Sequence, residues 1–445
     1  MRRYEFVEGT SKKFWEISLD GESFTTRWGR LGTEGQSRTQ TFGSSAEARK
    51  AHDSLIAEKE KKGYQQVGGE VSAARSLPAK VPSDPGIEEA VARDPEARKP
   101  WMDYGAFLVS QGEPWGEVIL AACEGKPDIK RQKAATEALL GGVEAAEGSW
   151  VHGVISEFNF QPSEYDEENP MPAVLERLLK HPAGHGVRKL TLGLPPCEDG
   201  EIEWHMEPLA QAISRAGPLP FLETLDLSPD AEHMDQPSWR RVGDIRGIWK
   251  AAPRLKALYL QGASGSDDGV KVRLAPIDAP CLETLVFKSG GLDAAAPKEI
   301  GAAVFPRLTH LELWFGVEDY GCTSTVASLA KILEGKGLPA LKRLGLMNSE
   351  WEEKLIQAVA ESAILPRLEV VDFSMGILCQ AAAQALLKHA GKYQHLKTLI
   401  LDDNFFLKED IKALKKVLPC ARFGTQKEPE GELEDRFSRY TTVAE

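Results

Sequence analysis

Apolar residues along this chain recur at two periods. From Val187 onward the unit Leu-x-x-Leu-x-Leu, with some replacement, begins at Val187, Leu222, Leu255, Leu282, Leu308, Leu341, Leu368 and Leu396, at intervals of 26 to 35 residues. Alternation inside each unit predicts a short strand with one buried face. Proline stands two residues ahead of several units, as in Pro253-Arg254-Leu255 and Pro306-Arg307-Leu308. There it ends a helix and starts the next strand. Between strands, residues 325–333, 355–360, 380–389 and 409–418 place apolar side chains at helical spacing. Strand, turn, helix and turn at this period stack into a curved solenoid, with a parallel sheet inside and helices outside. Residues 150–160 and a helix near 173–180 open the array, and the helix at 410–418 closes it.

The N-terminal pattern is different. Phe14-Trp15-Glu16-Ile17-Ser18-Leu19, then Asp20-Gly21, then residues 22–28 read as strand, two-residue turn and strand. A further strand is expected at 37–42. Ser44 with Glu47 then opens a helix carrying Ala48, Ala51, Leu55 and Ile56 on one face, which stops near Gly63. Residues 68–86, with Pro78, Pro82 and Pro85 and little apolar content, read as a flexible linker. Residues 87–125 read as two helices around a Gly-Pro turn, with Phe107, Leu108, Val118 and Ile119 as apolar faces. The stretch from Thr425 is polar and acidic and reads as a mobile tail.

The expected fold class is therefore α/β and multidomain. A small sheet-plus-helix module at 1–67 is followed by a linker at 68–86 and a helical companion segment at 87–149. A repeat solenoid at 150–420 and a tail at 421–445 complete the chain.

Composition is that of a water-soluble globular protein, with 42% hydrophobic and 27% charged residues among 445. The start, Met1-Arg2-Arg3-Tyr4-Glu5, lacks the apolar run of a signal peptide, and no stretch approaches the roughly 20 apolar residues of a membrane span. Six dispersed cysteines, at Cys123, Cys197, Cys281, Cys322, Cys379 and Cys420, indicate neither a zinc ribbon nor a disulfide scaffold. Reduced thiols in the cytoplasm are the expectation. The chain carries 54 basic and 67 acidic residues, a formal balance of −13. Residues 1–67 hold 12 Lys/Arg against 10 Asp/Glu, or +2, which leaves −15 for the remainder. An acidic body repels nucleic acid, so any such contact is local to the first module.

Arg27-Trp28-Gly29-Arg30-Leu31-Gly32-Thr33 concentrates chemistry in that module. An exposed indole stacks on bases, and arginine forks onto phosphate oxygens. Together with Lys13-Phe14-Trp15-Glu16-Ile17 before it, Gly35-Gln36 after it and Glu58-Lys59 and Lys62-Gly63-Tyr64 at the close, it resembles a WGR domain. That module occurs in DNA-dependent poly(ADP-ribose) polymerases and in many bacterial proteins. The resemblance covers residues 1–67 and places the DNA-contacting roles of the family on Trp28 and Arg30. Arg27, Lys12, Lys13 and Arg38 supply nearby positive charge. No polymerase catalytic domain is recognisable in the rest, so that activity does not carry over.

Tyr104, Leu108, Gly112-Glu113-Pro114 and Gly116-Glu117 resemble the short companion domain that precedes leucine-rich repeats in some bacterial proteins, with Glu113 in place of the usual aspartate. The 26-to-35-residue array is itself similar to leucine-rich repeats. Their ninth position is often Asn or Cys. Asn404 fits, but Asp230, Ala263, Gly290, Gly316, Ser349 and Gly376 depart from it.

With the leucines turned inward, the residues between them face outward on neighbouring strands roughly 5 Å apart. This brings Tyr259, Val286, Lys288, His310, Glu312, Trp314 and Met347 together as a candidate protein-binding surface, with aromatic anchors ringed by charge. Enzyme signatures are missing from the sequence. There is no Gly-x-x-x-x-Gly-Lys loop and no Gly-x-Ser-x-Gly elbow. His181 and His185 flank a proline and a glycine that exclude a helical ligand pair. The expectation is a non-enzymatic adaptor without a cofactor, joining DNA at one end to a protein at the other. The alternative is a scaffold in which both ends bind proteins.

Overall fold

Alternating inward side chains and a covering helix shape the N-terminal unit. The computed structural model describes all residues except 1, 9–10, 21–22, 31–35, 43, 63, 67–80, 141–145, 162–170, 194–203, 229–239, 264–270, 434 and 444–445. It divides into two units, one of Met1–Val81 with Lys130–Glu144, the other of Pro82–Ile129 with Ala145–Glu445.

In the first unit, β1 (Arg2–Glu8), β2 (Ser11–Asp20), β3 (Ser23–Arg30), β4 (Gln36–Thr41) and β5 (Gln65–Gln66) form an antiparallel sheet of order β4-β3-β2-β1-β5. Asp20 pairs with Ser23, and the expected turn at Asp20-Gly21 falls partly on residues 21–22, which lie outside the described set. Helix α1 (Ser45–Lys61) follows Ser44, as expected. Its Ala51, Leu55 and Ile56 pack on Tyr4, Trp15, Ile17 and Phe24, which alternation puts on one face of the sheet.

The second unit begins inside the stretch expected to be linker. It starts at Pro82, and α2 (Pro85–Arg93) follows at once, because the Asp84 carboxylate accepts from the N–H groups of Gly86 (2.9 Å) and Ile87 (3.1 Å). Asp84-Pro85 is a helix-start signal, with a capping acid followed by proline at the first turn. Residues 68–80 of the expected linker lie outside the described set.

The companion segment holds more than two helices. Helices α2, α3 (Arg98–Ser110) and α4 (Trp115–Cys123) belong with the solenoid, whereas residues 130–144, including most of the helix Ile129–Leu140, group with the N-terminal unit. The α3–α4 crossing is close because Gly105 faces Gly116, where a Cβ on Gly116 would lie 2.3 Å from the Gly105 carbonyl oxygen. Trp101 and Tyr104 of α3 pack on Phe221, and Trp115 Nε1 donates to the Gly153 carbonyl at 2.9 Å. These contacts fasten α3 and α4 to the first repeats.

The solenoid has the expected architecture. Its sheet opens with an antiparallel hairpin, Ala146–Val151 with Val154–Phe160, and continues through nine strands, each parallel to the one before. Leu190, Leu225, Leu258, Leu285, Leu311, Leu344, Val371 and Leu399 are in register and buried. Thr191, Asp226, Tyr259, Val286, Glu312, Gly345, Asp372 and Ile400 form the next column, as the pattern predicts. Helices line the other side, among them Met171–Lys180, Glu207–Ala216, Glu353–Ala360, Gln380–Lys388 and Lys408–Val417.

The irregular ninth positions have a physical basis where glycine replaces asparagine. A Cβ on Gly316, whose φ is +71°, would lie 1.6 Å from the Gly290 carbonyl oxygen. There the backbones of adjacent repeats bond directly, Val317 N donating to Gly290 O at 2.9 Å.

The segment after Thr425 is not the free tail its composition suggests. Val443 is buried beside Trp314 and Met347, and Arg439 and Thr441 are buried as well. Polar composition misleads here because the segment is held largely by hydrogen bonds and ion pairs, not by apolar area.

Candidate nucleic-acid interface and concave surface

Strand pairing sorts the N-terminal candidates by face. Lys13 lies opposite Arg30, Trp15 opposite Trp28, and Thr26 opposite Arg38. Directly opposed residues of an antiparallel pair point to the same side. Lys13, Trp28, Arg30 and Arg38 therefore share the face covered by α1, with Trp28 outside the apolar cluster under that helix. Trp28 is 36% exposed while its neighbour Trp15 is 2% exposed. The result is a solvent-facing indole beside one buried tryptophan, with Lys13 and Arg30 exposed in the adjoining pair.

Two of the expected residues do not join this group. Arg27 alternates to the opposite face, where its guanidinium lies 3.6 Å from the Glu16 carboxylate and over the Phe14 ring. Lys12 sits on β2 opposite Val7, and its side chain lies outside the described set. Lys59, part of the sequence pattern but not expected as a contact, has its Nζ 5.6 Å from the centre of the Trp15 ring. The signal was present as basic residues in the last turn of α1. Placing it required the helix to be docked.

On the concave face Glu312 is a hub. Trp314 Nε1 donates to Glu312 Oε1 at 2.9 Å, His310 Nε2 lies 3.3 Å from Oε2, and Arg343 approaches it at 3.8 Å. Burial alone pushes the Glu312 carboxyl up. Hydrogen bonds from His310 and Trp314, with the charges of His310 and Arg343, more than offset this and leave it below the usual carboxylate range. Arg343 also binds Asp372 at 3.1 Å, yet burial prevails there and holds that acid above its ordinary value. Burial, with Asp226 and Glu312 nearby, raises the Tyr259 phenol. Lys288 lies over the Trp314 ring at 5.4 Å.

The seven concave residues are thus neighbours, but they are not equally open. Tyr259, Lys288, His310 and Glu312 are partly exposed, and Val286 is buried. Trp314 and Met347, expected as exposed anchors, are only 6% and 8% exposed because Val443 packs on them. No sequence period could show this, since the covering residue comes from the far end of the chain. Glu312→Ala leaves the Trp314 N–H without its acceptor and should destabilise the second unit by about 1–3 kcal/mol in a denaturant titration. An unchanged midpoint would mean that the indole is satisfied elsewhere.

Among the described residues no cluster of His, Cys, Asp or Glu could hold a metal ion, and no helix is long and apolar enough to cross a membrane.

YehF of Escherichia coli K12 is 42% identical over 64 residues, 14% of this chain and 23% of that protein. YfeS of the same strain is 35% identical over 65 residues, 15% of this chain and 27% of that protein. The chain thus spans about a quarter of the length of these curated relatives. Among solved structures, a Bacteroides fragilis protein is 22% identical with a TM-score of 0.48, covering 99% of both chains. An internalin of Listeria monocytogenes is 13% identical with a TM-score of 0.27, covering 61% of this chain and 80% of that one. A leucine-rich-repeat protein of Leptospira interrogans is 13% identical with a TM-score of 0.20, covering 60% and 82%. At the N-terminus, where the exposed Trp28 stands beside Lys13 and Arg30, residues 1–71 match the WGR domain family.

Proposed function

We propose that this protein is a non-enzymatic adaptor. Its N-terminal unit binds a nucleic-acid end through Trp28, Lys13 and Arg30, and its solenoid binds a protein through the concave face. The observation that carries the first half is the exposure of Trp28 beside two exposed cations, in a module matching the WGR family. Trp28 offers a flat surface for a terminal base, and Arg30 and Lys13 offer charge to the adjoining phosphates. Two binding surfaces on one chain raise the local concentration of one ligand near the other. The second reading, a scaffold that binds protein at both ends, is favoured by the net charge of −13.

Fluorescence anisotropy of the full chain with labelled single-stranded, blunt and nicked DNA at two salt concentrations separates these readings. On the first, Trp28→Ala weakens binding by about 1–3 kcal/mol, the range for one base stacked on an aromatic ring. Arg30→Ala weakens it and lowers the salt dependence by about one phosphate contact. Absence of salt-dependent binding by the wild-type chain would refute the nucleic-acid reading and leave the scaffold.

A further inference from the structure

Residues 436–443 lie across three successive repeats at the C-terminal ends of the inner strands. Val443 packs on Trp314 and Met347. Its backbone is held at both ends by one carboxamide, with Val443 N donating to Asn348 Oδ1 at 2.9 Å and Asn348 Nδ2 donating to Val443 O at 2.5 Å. In the next repeat, the Met375 carbonyl accepts from Thr442 N at 3.0 Å. One repeat further, Asp403 accepts from the Thr442 hydroxyl. Asn348, Met375 and Asp403 are equivalent positions 27 and 28 residues apart, and all three have positive φ, at 54°, 68° and 54°. Asn and Asp visit that region more readily than other non-glycine residues, and of the three it is Met375 that needs its surroundings to hold it there. Upstream, Arg439 pairs with Glu352, and Arg436 with Glu350.

These contacts are of a replaceable kind. Three use only the strap's main-chain atoms, Val443 N and O and Thr442 N, which any polypeptide can supply, and the two arginine pairs ask only for a basic segment. The apolar seat takes a single β-branched side chain, and Phe437 remains 91% exposed. A segment attached to its own site has a high local concentration, so weak contacts suffice to hold it and a better ligand displaces it.

We propose that the surface formed by Trp314, Met347, Asn348, Glu350 and Glu352 docks a linear segment of a partner protein, and that residues 436–443 occupy it as a displaceable strap until the partner arrives. The partner segment is basic, to meet Glu350 and Glu352, and ends in a β-branched apolar residue seated on Trp314 and Met347. Its backbone N–H and carbonyl replace those of Val443 on Asn348. The proposal rests on the concave-face reading above and adds the regulation of that surface.

The test uses the full chain as wild type, Val443→Asp and Arg439→Ala, with a fluorescein-labelled peptide of residues 436–443 as probe. Cys379, buried and in contact with Arg439, reports release of the strap through its alkylation rate, read by peptide mass spectrometry. The proposal expects both variants to alkylate faster at Cys379 and to bind the peptide at least about tenfold more tightly than wild type does. Adding Asn348→Ala to Val443→Asp should then abolish peptide binding. If neither variant speeds alkylation, the strap is a fixed part of the fold and the proposal falls, while protein binding elsewhere on the concave face stands. If alkylation accelerates but no peptide binds, the strap moves and this part of the concave face is not a peptide site, so both readings fail there.

Discussion

Trp15→Ala is expected to unfold the N-terminal unit, whereas Trp28→Ala, at the opposed position on the next strand, leaves it folded. Trp15 is enclosed by Tyr4, Ile17, Phe24 and Ile56, with the Tyr4 ring 5.5 Å away and Lys59 over its face. Truncating a buried tryptophan removes its transfer energy and leaves a cavity, together about 3–5 kcal/mol. That is a large share of the roughly 5–15 kcal/mol that holds a typical domain together. Trp28 lies beyond the cluster and keeps a third of its surface in water, so its removal opens no enclosed cavity. Hydrogen exchange of the amides in β1–β4, measured in the full chain, checks both. Loss of protection in the Trp15 variant alone is the expected result. Equal loss in both would make Trp28 a core residue and remove the basis for reading it as a ligand platform.

Asn404→Leu should be comparably damaging in the second unit. This side chain is fully buried and bonds to two neighbouring turns. Its Nδ2 donates to the carbonyls of Phe373 and Asp402, both at 3.0 Å, and its Oδ1 accepts from Leu378 N at 3.1 Å. Leucine fills similar space but takes the partner from Leu378 N and the Phe373 carbonyl, at about 1–3 kcal/mol each, while the Asp402 carbonyl keeps its bond from Met375 N at 3.1 Å. A loss of about 3 kcal/mol or more is expected, with lower exchange protection over residues 373–378. The main-chain carbonyl of Asn404 also accepts from Lys427 N at 2.7 Å, at the root of the strap. The variant should therefore loosen the strap as well. A wild-type unfolding midpoint would show that the repeats are locked by their leucines alone.

Asn404 was legible because its type and place in the repeat carry a known bonding role. The neighbouring exceptions were visible as departures but not as solutions. That Gly316 stands where backbone meets backbone appears only once Gly290 of the preceding repeat is in place. The same limit applied to Asp84-Pro85, where a helix start was read as part of a proline-rich linker.

Local physics accounts for what could be read from residues alone. Leucines at alternate positions and a near-constant interval dictate strands with one buried face. Register then follows, so that Tyr259, Val286 and Glu312 had to become neighbours. Exposure did not follow, because it depends on what covers a face. Trp15 and Trp28 point the same way from adjacent strands, and the position of α1 decides which of them meets water. Trp314 and Met347 have the pattern of open anchors, and Val443 closes them through a contact with a repeat 95 residues earlier. Such a contact leaves no period in the sequence, because it joins segments whose own patterns are satisfied without it. Only the packed tertiary structure brings them together.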